Sequence, residues 1–188
     1  HKAKEYEYNP TKAKELLKKA GLEKGFSTEL WALPVTRPYN PNGKKMAEMM
    51  QADLAQVGIQ AKIVTYDWPT YLSKSKNGEH ALIQMGWSGD NGDPDNFLSV
   101  LLSCVAVDAG SNLARWCYKP FNDLVLSARK NDKKEKRTAL YQKAQEIFNQ
   151  EVPWVPLAHS TVFRAMSKEV KGYKIDPLGN DIFKYVSF

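Results

Sequence analysis

The chain has 188 residues, is 43% hydrophobic with five Trp, and carries a formal net charge of +6. That length holds one domain with its own core, or one domain and part of a second, and no apolar run approaches the ~18 residues of a membrane span. Much of the basic excess lies in Arg129-Lys130-Asn131-Asp132-Lys133-Lys134-Glu135-Lys136-Arg137, which has acids but no aromatic, so it reads as a solvated helix junction and not a nucleic-acid site.

The chain begins His1-Lys2-Ala3, with no Met and no leader. It reads as a mature or excised chain, so the missing targeting segment says little about location. Asn9-Pro10-Thr11 starts a helix, with Asn as the cap and Pro at the first helical position. Ala13, Leu16, Leu17 and Ala20 follow at helical spacing, and Gly21 ends it. Ser27 to Leu33 reads as a strand. The stretch 34–43, PVTRPYNPNG, cannot be regular, because three prolines remove donors and restrict their neighbours. A helix then carries Met46, Met49, Met50, Leu54 and Val57 on one face, which reads as core packing, and Gly58 closes it.

Ile59 to Tyr66 is the next expected strand, and Trp68 to Lys76 a short helix with Trp68, Tyr71 and Leu72 on one face. Ala81 to Trp87 reads as a third strand. A helix follows around Phe97, Val100, Leu101 and Cys104, and another opens at Pro120 with Phe121, Leu124, Val125 and Ala128 in register. Asp132 is expected to cap a longer helix bearing Leu140, Tyr141, Ala144, Ile147 and Phe148. Val152 to Ala158 is apolar and extended, and the tail, with Gly172, Pro177 and Gly179, reads as short strands and turns. Strand–helix alternation of this kind gives an α/β fold with a mostly parallel or mixed sheet flanked by helices. The texture changes after His159, so the tail is expected to belong to a neighbouring domain.

The richest segment is Trp87-Ser88-Gly89-Asp90-Asn91-Gly92-Asp93-Pro94-Asp95. A strand feeding a turn-rich acidic loop and then a helix is where α/β folds place ligand contacts. The carboxylates point to a cationic ligand group. Asp90 alone is equally a turn residue. Asp93 and Asp95 read as a helix cap and a first-turn acid. The row lacks the residue order and closing Glu of an EF-hand, so no metal is expected. His159 beside Ser160 invites a hydrolase reading, but no Gly-x-Ser-x-Gly elbow is present. A hydrolase built on the Asp90 and Asp93 carboxylates would also lack an aromatic row to hold a sugar. No enzyme activity and no cofactor are expected.

Cys104 and Cys117 are the only cysteines, and His1, His80 and His159 do not complete zinc-finger spacing. A disulfide between them would close a short loop, worth roughly 3 kcal/mol in the loop-closure account. It would imply an oxidising compartment. Two free buried thiols remain open on the residues alone.

Four segments then carry a resemblance. They are YNPTKAKELLKKAG at 8–21, RPYNPN at 37–42, GWSGDNGDPDNF at 86–97 and AHSTVF at 158–163. Together they resemble the peptide-binding members of the family 5 solute-binding proteins, the extracytoplasmic components of ABC importers, over nearly the whole chain. The resemblance implies a class II periplasmic-binding-protein lobe, the C-terminal half of a hinged two-lobed clamp. Residues 1–160 would form that lobe, and 161–188 would return toward the first lobe and hinge. Most of the first lobe and a small extra domain would be missing.

The resemblance also implies a ligand and its contacts. Asp90 would bind the α-ammonium of a dipeptide or short peptide and Arg37 its α-carboxylate, while Trp87 and Gly89 line the pocket. Cys104 and Cys117 match a disulfide of the relatives. The implied partner is an ABC permease in the membrane, and the implied location is the periplasm. Within the same fold, haem, glutathione or a longer oligopeptide is the alternative ligand. The chemistry agrees: a zwitterion needs one fixed anion and one fixed cation at a set separation, and Arg grips a carboxylate bidentately. An Arg at that distance selects for peptide length, because a longer peptide presents no carboxylate there.

Overall fold

The computed structural model describes residues 6–188. The first five residues of the expected 1–160 lobe lie outside them. The elements are α1 (Pro10–Lys19), β1 (Phe26–Trp31), α2 (Gly43–Gln56), β2 (Ile59–Val64), α3 (Trp68–Lys76), β3 (Leu82–Ile83), α4 (Asp95–Leu102), α5 (Val105–Asp108), α6 (Lys119–Arg129), α7 (Lys134–Glu151), β4 (Lys174–Ile175) and β5 (Asp181–Ile182). The main sheet has the order β2-β1-β3 and is wholly parallel. β4 and β5 form a separate antiparallel pair in the tail. The α/β class is as expected.

Successive side chains of a strand point to opposite faces. Leu30 and Trp31 at the end of β1 are both buried, at 1% exposure each, so the central strand is covered on both sides. One face packs Leu30, Ala32 and Ala61 against Ala47 of α2, with Met50 and Leu54 beside them. The other packs Trp31 and Leu33 against Tyr71 of α3. A third cluster joins Leu101 and Leu102 of α4, Phe121, Val125 and Ala128 of α6, and Tyr141 and Ala144 of α7.

Local chemistry explains the helix starts. Asn9, Asn42 and Asp67 each accept a backbone N–H three residues on, from Lys12, Lys45 and Thr70. α1 nevertheless buries none of its residues, and Leu16 is exposed. Met49, expected in the core, is 61% exposed. The buried stripe of α2 runs through Gly43 and Ala47 to the half-buried Met50 and Leu54 instead, because close approach to the sheet needs small residues. Asp132 does not cap α7: Asn131 Oδ1 accepts the Lys133 N–H at 3.1 Å instead. The stretch 152–158 is outside any strand.

The third strand is shorter than expected, two residues in place of 81–87. Gln84 is the cause. Its backbone N–H still reaches the Trp31 carbonyl at 3.0 Å, but its buried side chain takes over the next position of the ladder. Gln84 Oε1 accepts the Leu33 N–H at 3.1 Å and the Asn40 amide at 3.3 Å. The chain is thereby released from β1 into an irregular loop. Tyr71 donates to the Gln84 carbonyl at 2.7 Å, and burial pushes the phenol's pKa upward. Cys104 and Cys117 are disulfide-bonded, with Cα atoms 4.6 Å apart, within bridging distance. The bridge closes the loop behind α4.

Candidate functional site

In a parallel sheet all strands end at the same edge, and the loops that leave it form the binding crevice. Three such loops meet here. The loop after β1 carries Arg37 and Tyr39, the loop after β2 leads to Trp68, and the loop after β3 carries Trp87, Gly89 and Asp90. The first is pinched into a tight turn by paired backbone bonds between Arg37 and Asn40, at 3.0 and 3.1 Å. Asn40 is buried under it and held by Gln84.

Arg37 lies over the Trp68 ring, its guanidinium carbon 4.7 Å from the centroid. This cation–π contact and a bond from Arg37 Nη1 to the Thr36 carbonyl at 3.3 Å together hold the side chain. Tyr39 joins the first loop to the third. A Cβ on Gly86 would fall 2.2 Å from Tyr39 Cδ2, so the ring rests directly on the Gly86 backbone. Burial raises the Tyr39 pKa, and the neighbouring Arg37 charge partly offsets that rise. Ser160, from the tail, donates to the Pro38 carbonyl.

The third loop is organised around Asn96. Asn96 Oδ1 accepts the Trp87 indole N–H at 2.9 Å and the Asp90 backbone N–H at 3.0 Å. Its amide nitrogen donates to Asp90 Oδ2 at 2.9 Å. Phe97 lies over Gly89, where a Cβ would meet its ring at 2.8 Å. Trp87 remains 38% exposed and Asp90 is exposed. Two surface depressions of about 250 and 360 Å3 lie elsewhere, on α7 around Lys136 and in the tail around Tyr173. Trp87 and Asp90 are thus accessible from solvent in this chain.

Asp93 points away from that face. It is held bidentately by Arg137 of α7, at 2.6 and 2.7 Å. Its Oδ1 also accepts the Asp95 N–H at 2.8 Å, so it caps α4 from one residue outside the cap position, which Pro94 occupies. Asp95 is the first-turn acid, with Arg129 3.8 Å away. The acidic loop is thus divided: Asp90 faces out and Asp93 braces the loop against the helical layer. Sequence reasoning missed Asn96, Tyr39, Trp68 as a seat for Arg37, and the Arg137 brace.

The brace sets a pH dependence. The hydrogen bond from Arg137 holds the Asp93 pKa below its ordinary value. A carboxyl depressed in the folded state adds stability above its unfolded pKa, about 3.9. That stability is lost as pH falls through the folded value. Arg137→Gln should destabilise the chain at pH 7, with the gap from the unmutated protein closing below about pH 4. Paired urea titrations at pH 7 and pH 3 measure it; an equal gap at both pH values removes the brace from the account.

The doubly covered parallel sheet, with its loops gathered at one edge, is of the periplasmic-binding-protein type, the fold of the solved structures on which it superposes. Residues 1–109 match the model of the bacterial extracellular solute-binding proteins, family 5 middle region, and the chain belongs to that family. It is 59% identical over 183 residues to the dipeptide-binding protein of Escherichia coli K12, covering 97% of this chain and 34% of that protein. It is 46% identical over 183 residues to heme-binding protein A of Haemophilus influenzae, covering 97% of this chain and 33% of that protein. Among solved structures it superposes on the dipeptide-binding protein of Pseudoalteromonas sp. SM9913 in complex with Met-Leu, with a TM-score of 0.86 and 40% identity, over 95% of this chain and 35% of that one. The chain spans about a third of the length of these relatives. No helix among the described residues is long and apolar enough to cross a membrane.

Proposed function

We propose that this chain supplies one wall of the ligand cleft in the substrate-binding component of an ABC importer, which captures dipeptides or short peptides in the periplasm for a membrane permease. One observation carries the reading: a pinned cation and a pinned anion, Arg37 and Asp90, are displayed on neighbouring loops of one sheet edge. Arg37 takes the α-carboxylate and Asp90 the α-ammonium, while Trp87 and Gly89 line the space between. Burying both ends of a zwitterion is costly unless each is paired, and two opposite charges meet that need without bond chemistry.

Residues 1–160 make the lobe, and 161–188 return toward a second lobe that closes on the ligand. Support for the second part comes from the tail's exposed apolar side chains, including Phe163 at 82% and Phe188 at 96% exposure, which a free surface rarely gathers. The similarity to a haem-binding relative keeps haem as the second reading. Calorimetry on the full-length natural protein, with dipeptides, tripeptides, glutathione and haemin, separates them. Dipeptides should bind and haemin should not compete. Haemin binding without any dipeptide heat would replace the first reading with the second.

A further inference from the structure

Asn96 is the second residue of α4, half-buried, and its amide touches both Trp87 and Asp90 of the third loop. Which atom faces which group is fixed by chemistry. The Trp87 indole and the Asp90 backbone can only donate, so both must meet the Asn96 oxygen. The amide nitrogen is then left facing Asp90, and it donates to Oδ2 at 2.9 Å. Asp90 Oδ1 has no hydrogen bond from the described residues, so one oxygen is tethered and the other is presented outward. An aspartate at 96 would set two carboxylates against each other, and an alanine would free the indole, the loop backbone and the carboxylate at once.

We propose that Asn96 is a positioning residue of the binding site, which holds the Asp90 carboxylate in the orientation that receives a ligand's ammonium group. The proposal rests on the reading of Asp90 as the ammonium partner. It assigns Asn96 no contact with the ligand. Its effect passes through Asp90: a carboxylate with one anchored oxygen is aimed before the ligand arrives, and the ordering cost is removed from binding. The backbone N–H bond holds the loop at Asp90 to the start of α4, so loop and carboxylate are set by the same side chain.

A double-mutant cycle in the full-length natural protein tests this, with Asn96→Ala, Asp90→Asn and the pair, read by calorimetry with a free dipeptide. Asn96→Ala should weaken binding about tenfold or more, the scale of a lost hydrogen bond to a charged group. In the Asp90→Asn background the same change should add less than about twofold, because the aimed charge is already gone. If Asn96→Ala unfolds the protein, Asn96→Ser takes its place. Serine keeps an acceptor at the helix start but is too short to reach both Trp87 and Asp90. Equal losses in both backgrounds would overturn the positioning role. A large loss from Asp90→Asn with none from Asn96→Ala would overturn it too and leave the Asp90 reading standing. A loss from Asn96→Ala with none from Asp90→Asn would overturn both.

Discussion

Asp90→Asn should weaken dipeptide binding by roughly thirtyfold to several thousandfold in the full-length natural protein. Truncating one partner of a buried charge pair costs about 2–5 kcal/mol, which converts to that range of affinity. The substitution is nearly isosteric, so the loop contacts to Asn96 have replacements and the loss isolates the charge. Asp93→Asn and Asp95→Asn belong to a different part of the loop. Asp93 is engaged with Arg137 and the start of α4, so its loss should cost about 1–2 kcal/mol of stability and little affinity. A dipeptide acetylated at its amino end has no ammonium and should be refused by the unmutated protein. Calorimetry on the three variants, and on the acetylated ligand, decides the matter. Binding of Asp90→Asn within about threefold of the unmutated protein, or equal binding of the acetylated ligand, would remove Asp90 from the ligand contacts.

What the sequence revealed of this site depended on the kind of signal. Asn9 before a proline, and Trp68, Tyr71 and Leu72 on one helical face, are local patterns, and α1 and α3 begin where those patterns put them. The early end of β3 was not local. Gln84 is a polar residue in an apolar run, and only the folded chain shows it bonded to Leu33 and Asn40. Asn96 was equally silent, because an asparagine in a first helical turn has many bland uses and its partners precede it in a loop. Arg37 and Asp90 were picked out by resemblance, since alone one reads as a surface arginine and the other as a turn residue. The partition of the loop between an outward Asp90 and a braced Asp93 needed α7, which is distant in sequence. The methionine stripe failed in part for a related reason. Its period fits a helix, but the direction the helix faces is set by where Gly43 and Ala47 let it approach the sheet.

Trp31→Ala should lower stability by about 3–5 kcal/mol, the range for truncating a fully buried large aromatic. Trp31 is 1% exposed at the end of the central strand. Its ring meets Tyr66 edge-on at 4.8 Å, His80 at 5.7 Å and Tyr71 at 5.9 Å between centroids. Alanine would leave a void bounded by the central strand and by the Tyr66, Tyr71 and His80 rings. In a domain of this size the unfolding midpoint should fall by roughly 10 °C. The void would also lie under the site. Tyr39 and Trp68 pack against the same cluster as Trp31, and they are the residues that carry the Arg37 loop and seat its guanidinium. Affinity for a peptide carboxylate should therefore drop along with stability. Leu16→Ala supplies the control: it is apolar and at helical spacing, but 55% exposed on α1, so its cost should stay within about 0.5 kcal/mol. Urea unfolding of both variants measures the contrast. A Trp31→Ala loss below about 1 kcal/mol, against the usual range for buried aromatics, would show that this cluster does not support the sheet edge that carries the site.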